Sequence, residues 1–339
     1  MDILEQISLK SYNTFGLDVK AQHFCAITSK EDIEQLIKKE WKNFHRHLIL
    51  GGGSNVLLCK DVEGLVIKNN IVGIEILKED ENNVWVKSYS GTTWHDVVLF
   101  CVDKGWYGFE NLSLIPGTIG AAPIQNIGAY GVELKDVFVE LEAIDLETAS
   151  TKIFTKEQCQ FGYRDSIFKH EAKGKYFIFS VTLKLSKQPN INIAYGDIQK
   201  VLEEKNIQSP NAKNISDAVI QIRESKLPNP KDLGNAGSFF KNPEITTTEF
   251  NRIQQVFPQI PKYDLANGNK KIPAAWLIEQ CGWKGKRIGE TGNHAKQALV
   301  LVNYGNAKGN EIWQHALHVQ QSVQEKFGIL LEPEVNVIQ

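Results

Sequence analysis

"HLILGGGSNVLL" (residues 47–58) sets an apolar run, three glycines and a second apolar run in direct succession. A short apolar stretch bounded by glycine reads as a buried strand, so the segment is expected to be strand, glycine turn, strand. Two readings of the turn stay open. Without Cβ atoms the backbone can lie against a ligand and aim successive N–H groups at an anion, with Ser54 and Asn55 adding side-chain hydrogen bonds. Equally, three glycines make a tight connection between strands. The spacing is not GxGxxG and no GK[ST] follows, so neither a doubly wound dinucleotide fold nor a Walker phosphate loop is indicated.

A second glycine region, "LIPGTIGAAPIQNIGAYGVEL" (114–134), is longer and less polar than an ordinary loop. Gly117, Gly120, Gly128 and Gly131 recur among apolar and small residues. The segment either wraps something flat and partly apolar, with Gln125 and Asn126 as polar contacts, or forms a crowded bend on the core. Two such regions in one half of the chain favour a cofactor site.

Around them the chain mixes strands and helices without regular βαβ alternation, which gives an α+β fold. "NVWVKSYSG" (83–91) alternates as a strand, and "WHDVVLFCVDKG" (94–105) has helical spacing with Gly105 as its stop. "KYFIFSVTLKL" (175–185) is a strand. The polar stretch "SPNAKNIS" (209–216) reads as a link to a second globular unit, with Ser216 capping a helix over 217–226 that Pro228 ends. In "IPAAWLIEQCGW" Pro273 opens a helix and Gly282 ends it, and "QALVLVN" (297–303) is a strand. "NEIWQHALHVQQSVQEKFG" (310–328) is an amphipathic helix, capped by Asn310 and stopped at Gly328. The terminal "ILLEPEVNVI" is a strand.

The totals exclude several classes. The 339 residues allow two or three units, and a net charge of −2 offers no basic field for nucleic acid. No apolar run is long enough to span a bilayer. "MDILEQISLK" lacks the apolar core of a signal peptide. Five scattered cysteines without a CxxC pair point to reduced thiols and a cytoplasmic location. His315 and His318 share a helix face without HExxH. They are read as part of its polar surface, and no metal is expected.

Candidate chemistry is sparser. Arg164 in "FGYRDSIFK" and Arg223, three residues before Lys226 on one helix, bring guanidinium groups suited to an anion, or to an ordinary ion pair. Glu332 and Glu334 would point to one face of a strand, a position that also suits two solvated carboxylates. "GNAGSFFKNP" (234–243) sets Ser238 among glycines, but GxSxG is absent and no base is apparent.

Taken in order, "NTFGL" (13–17), "LGGGSNVLL" (50–58), the 114–134 segment, "FGYRDSIFK" (161–169), "KLPNP" (226–230), "GNAGSFFKNP" and "LEPEV" (331–335) closely resemble the UDP-N-acetylenolpyruvoylglucosamine reductase family. The "AYGD" of 194–197 resembles the subclass that closes a tyrosine-bearing loop over the substrate. The resemblance implies a vanillyl-alcohol-oxidase-type FAD-binding domain in two subdomains, 1–72 and 73–222. It also implies a separate α+β substrate-binding domain over 223–330, with 331–339 returning to the active site. FAD is expected to be non-covalent, since neither 51–55 nor 116–131 holds histidine or cysteine, and NADPH is the co-substrate. Reduced FAD would pass a hydride from N5 to C3 of the enolpyruvyl ether of a UDP-sugar. A proton to C2 then gives UDP-N-acetylmuramate for peptidoglycan.

By the same resemblance Ser238 donates that proton, while Arg164 and a protonated Glu334 stabilise the enol-like carboxylate. The FAD positions are Gly51, Gly52, Gly53, Ser54, Asn55, Pro116, Gly117, Gly120, Ala121, Ile124, Gln125, Asn126, Gly128, Tyr130 and Gly131. Tyr195, Lys226, Asn242 and Gln297 fall on substrate positions, and Arg223 joins them from its helix position. Ala121 and Ala122 stand where relatives carry serine. The expected assembly is a monomer or weak oligomer, with no nucleic-acid or membrane partner. The competing readings are a carbohydrate or alcohol oxidase on the same flavin fold, and a nucleotide-sugar-binding protein without turnover.

Overall fold

The computed structural model describes all residues 1–339, and they divide into two compact units. Unit 1 comprises 1–7, 21–52 and 63–225; unit 2 comprises 8–20, 53–62 and 226–339.

Unit 1 is built on a five-stranded antiparallel sheet in the order Thr151–Thr155, Phe138–Asp145, Tyr176–Ser186, Asn83–Tyr89, Ile74–Glu79. The alternation seen in the sequence decides its faces: Val84, Val86 and Ser88 are buried, while Trp85 and Lys87 lie partly open. The helix Trp94–Asp103 packs Trp94, Val97, Val98 and Cys101 onto the buried face. Gly105 follows with φ +73°, a left-handed backbone that suits glycine. A second core forms where Phe177 and Phe179 meet Ile33, Leu36, Leu65 and Ile67. There the strands His47–Leu50 and Val62–Asn69 run parallel, with Leu50 opposite Lys68.

Unit 2 gathers its core around the long helix Gly309–Phe327, whose Ile312, Ala316, Val319, Val323 and Phe327 are buried. Gly328 ends it at φ +74°. The helix begins one residue before the expected Asn310 cap, because the backbone at Gly309 lies against the Leu58 carbonyl where no Cβ fits. Its first turn is closed by the Glu311 carboxylate, which accepts from the Lys308 N–H at 2.7 Å. The expected strand–turn–strand over 47–58 is present, with the second strand at Val56–Leu58. The two strands join different sheets, since Val56–Leu58 pairs in parallel with the terminal strand Asn336–Ile338. Only that last piece of "ILLEPEVNVI" is strand.

Two expectations need correction. Ser216 is not a cap. The helix runs Ala212–Lys226, and Ser216 is fully buried inside it, its hydroxyl 2.7 Å from that of Ser113. Asn211 and Asn214 form the true start, each accepting the other's backbone N–H at 3.0 Å. The turn-forming composition of "SPNAKNIS" concealed a reciprocal cap. Nor is His315 part of a polar surface: it is 3 % exposed, and its Nε2 meets Asn293 Oδ1 at 2.7 Å. The Trp283 ring stands edge-on to it at 5.1 Å.

Burial, then the nearby His318 and Lys286, pull the His315 pKa down to about 4. An unfolded histidine titrates near ~6.5, so the unfolded chain takes up a proton that the folded one refuses. The stabilising contribution is present above ~6.5 and is lost as pH falls toward 4, amounting to about 3 kcal/mol. Urea unfolding at neutral pH and at pH near 4.5 should show His315→Gln losing less stability on acidification than the parent. Equal losses would clear His315 as the acid-sensitive group.

Candidate active site

The two glycine regions meet within unit 1. A Cβ on Gly51 would fall 2.5 Å from Thr118 Oγ1, and one on Gly52 3.0 Å from the Gly117 Cα. Gly120 is pressed on Ser90, where a Cβ would come within 2.6 Å. The second region is pinned along the turn before the helix Trp94–Asp103. Trp94 N–H donates to the Gly117 carbonyl at 3.0 Å, and Gly120 N–H to the Ser90 carbonyl at 2.9 Å. The glycines are therefore required by the protein's own backbone packing as well as by any ligand.

The same hydrogen bonds aim the peptide groups. In a trans peptide the carbonyl and the following N–H point in opposite directions. Lys68 Nζ holds the Gly51 carbonyl at 2.8 Å, turning the Gly52 N–H away from it. The Trp94 bond does the same for the Thr118 N–H. In unit 2 the Thr14 N–H holds the Gly53 carbonyl at 3.1 Å, which turns the Ser54 N–H outward. Within unit 1, outward N–H groups at Gly52 and Thr118 on glycine-rich backbone are what a pyrophosphate requires, so this pair of segments fits a dinucleotide. Asn126 contributes differently. It is fully buried, its amide donates to Glu133 and to the Gly162 carbonyl, and its oxygen accepts from the Lys135 N–H.

Further along unit 1, Arg164, Arg223, Tyr130 and Tyr195 are brought together. Arg164 has a left-handed backbone, φ +54°, and its guanidinium donates to the Gly128 carbonyl at 2.7 Å. Tyr130 and Gly131 also have positive φ. The Tyr195 ring lies edge-on to Tyr130 at 5.8 Å, and a Cβ on Gly131 would touch it at 3.2 Å. Asn111, buried and unremarkable in sequence, donates to the Tyr130 and Asn192 carbonyls at 3.1 and 2.8 Å, tying the tyrosine segment to this turn. Burial pulls the Arg223 pKa down; Tyr130 opposes the shift and Arg164 adds to it. The Arg223 Nε is buried without a hydrogen-bond partner.

Unit 2 brings Ser238 and Glu334 together. Ser238 ends the strand Gly234–Ser238, opposite Val300, just after a bulge. Gly237 makes the bulge with φ +71°, and Asn235 fixes it by accepting the Gly237 N–H at 2.9 Å. Phe239 and Phe240 are buried against one another, rings 5.2 Å apart, which anchors the chain immediately after the serine. The terminal segment runs antiparallel beside them: Glu334 N–H donates to the Phe239 carbonyl at 2.8 Å, and Phe240 bridges Pro333. Asn55 locks that return. Its amide donates to the Glu334 carbonyl at 3.2 Å, and its carbonyl accepts from the Asn336 backbone and side chain. Glu332 instead reaches solvent and pairs with Lys241 at 3.1 Å, so the two glutamates do not act as a pair.

The other expected substrate residues are dispersed in unit 2. Asn242 accepts the Ala274 N–H at 2.9 Å, the start of the helix Ala274–Gln280. Gln297 closes the turn into Val300 through its carbonyl, at 3.0 Å. Lys226 is the exposed last residue of its helix.

Residues 21–152 match the model of an FAD-binding domain, and residues 229–338 that of the UDP-N-acetylenolpyruvoylglucosamine reductase C-terminal domain. The reductase of that name from Flavobacterium johnsoniae is 53 % identical over 339 residues, covering 100 % of both chains. A crystal structure of UDP-N-acetylenolpyruvylglucosamine reductase from Thermus caldophilus matches with TM-score 0.67 at 23 % identity, covering 100 % of both chains. A solvent-stable cholesterol oxidase matches with TM-score 0.50 at 12 % identity, over 98 % of this chain and 86 % of that one. The α+β fold with a vanillyl-alcohol-oxidase-type flavin domain is therefore as expected.

The contact between the glycine regions can be tested by stability. Gly51→Ala should destabilise the protein by about 1–3 kcal/mol through overpacking on the Thr118 hydroxyl. Adding Thr118→Ala should recover much of the loss. Gly52→Ala, which meets backbone, should gain nothing from the same second change. Identical behaviour of the two alanines in urea unfolding would mean that the segments are not in this contact.

Proposed function

The chain belongs to the UDP-N-acetylenolpyruvoylglucosamine reductase family, and we infer that it uses NADPH and FAD to reduce the enolpyruvyl ether of a UDP-sugar to UDP-N-acetylmuramate. This is a step of peptidoglycan precursor synthesis. The observation that carries the reading is the full-length identity with the Flavobacterium reductase. FAD, held by the glycine segments, would supply the redox chemistry that carries a hydride from NADPH to the enolpyruvyl ether.

The chain's own residues manage charge and protons. As the hydride arrives at C3, negative charge spreads from C2 onto the substrate carboxylate. Arg164 meets that charge as a cation and Glu334 as a hydrogen-bonding acid, and removing one such group typically costs roughly a hundredfold or more. Ser238 then gives its hydroxyl proton to C2. A serine is a weak acid, but C2 is a strong base at that moment, and no separate base is needed to activate a donor. The Gly237 bulge and the buried phenylalanines support this role by fixing the backbone that carries the hydroxyl. Arg223, partly buried near Arg164, adds a second cation to the same region of unit 1. Tyr195, Lys226, Asn242 and Gln297 serve the nucleotide-sugar.

No helix is long and apolar enough to cross a membrane. We place the reaction in the cytoplasm, where NADPH and nucleotide sugars are found, and take the working form as a monomer or weak oligomer.

Stopped-flow measurement separates the two half-reactions. Ser238→Ala should leave flavin reduction by NADPH nearly unchanged and slow reoxidation by the enolpyruvyl sugar by roughly a hundredfold or more. Glu334→Gln should act on the same half-reaction without loss of flavin. Equal slowing of both halves would make Ser238 a structural residue.

A further inference from the structure

We propose that Lys68 is a cofactor-binding residue, whose ammonium fixes the Gly51–Gly52 peptide and supplies positive charge for the pyrophosphate of FAD.

The residue is out of place by pattern. It follows Leu65, Val66 and Ile67, all fully buried, on a strand where another aliphatic side chain would continue the run. Its Nζ instead turns to the glycine loop and donates to two carbonyls, Gly51 at 2.8 Å and Asn69 at 3.3 Å. An ammonium has three donors and a full charge, and carbonyls answer only the first need. Two other partly buried lysines of this unit have a counter-charge: Lys30 and Lys87 share Glu142 at 2.7 and 3.1 Å. Lys68 has no carboxylate partner, and burial alone pulls its pKa down. A half-buried cation without an anion is costly, and the cost falls away when an anion binds beside it.

The position identifies the anion. Lys68 holds, from behind, the carbonyl of the peptide whose Gly52 N–H is turned outward, so its charge polarises that donor and acts on a bound anion through space, across the peptide, without touching it. Isoalloxazine and ribityl groups carry no such charge; the diphosphate does. The proposal rests on FAD being the cofactor, as the family match of 21–152 indicates.

The test is flavin titration of the full-length protein after reversible removal of flavin, with FAD and riboflavin compared at low and high salt. The parent should prefer FAD. Lys68→Met should weaken FAD binding by roughly tenfold, the size of a through-space charge interaction at a partly buried position, while riboflavin binding stays as it was. Lys68→Gln should keep a donor to Gly51 yet lose the salt-sensitive part of FAD binding, and Lys68→Arg should restore it. Parallel weakening toward FAD and riboflavin would reduce Lys68 to loop support and overturn the proposal, as would unchanged FAD binding in Lys68→Met. A parent protein that takes up no flavin at all would sink the cofactor assignment itself, and this proposal with it.

Discussion

The approach of Gly51–Gly52 to Gly117–Thr118 is the constraint on which unit 1 depends. Gly52 and Gly117 come this close because neither carries a side chain, and Gly51 leaves room for the Thr118 hydroxyl. Once they are in contact, few orientations remain for the intervening peptides. Trp94 and Lys68 then select which carbonyls face inward. The N–H groups left outward are a by-product of packing. A cradle of this kind is rigid before any ligand arrives, so little ordering is required when one binds.

Unit 2 solves a different problem, holding a hydroxyl without a catalytic base. "NTFGL" reads as a motif because it supports the serine strand. Asn13 donates to the Leu9 and Leu17 carbonyls, and the Thr14 carbonyl accepts the Asn235 N–H. Gly234 lies flush against the Phe15 backbone, where no Cβ fits. Asn235 is buried and fixes the bulge that follows. "GNAGSFF" is thus a sequence of packing demands that leaves one partly exposed hydroxyl, on Ser238. The glycines around Ser238 answer to backbone neighbours, which is why they do not follow a nucleophile's pattern.

Periodicity made the long helix, the alternating strand Asn83–Tyr89 and the helix Trp94–Asp103 legible, because each buries one face and shows it in the spacing. Contacts between distant segments were not legible. Nothing local says that Val56–Leu58 pairs with the chain's end, or that Asn55 locks Glu334 in place. Composition misled at "SPNAKNIS", where turn formers were building a reciprocal asparagine cap. It misled again at His315, where a polar residue is buried by one good hydrogen bond. Ser238, Glu334 and Arg164 were singled out through an ordered set of motifs, not through spacing. Lys68 and Asn111 carried no motif, and only their carbonyl partners reveal what they do.

The cations of unit 1 have a common thermodynamic character. Lys68 lacks a counter-charge, and the partly buried Arg223 has its Nε enclosed and unpartnered near a second guanidinium. Burying charge in this way lowers the stability of the empty fold. Yet the same deficit makes each site selective, because a neutral ligand cannot relieve it and an anion can. Ligands that bind the folded form alone also stabilise it by mass action. If Lys68 and Arg223 meet anions as proposed, the empty chain gives up stability at the positions where its ligands are charged, and the ligands return it when they bind.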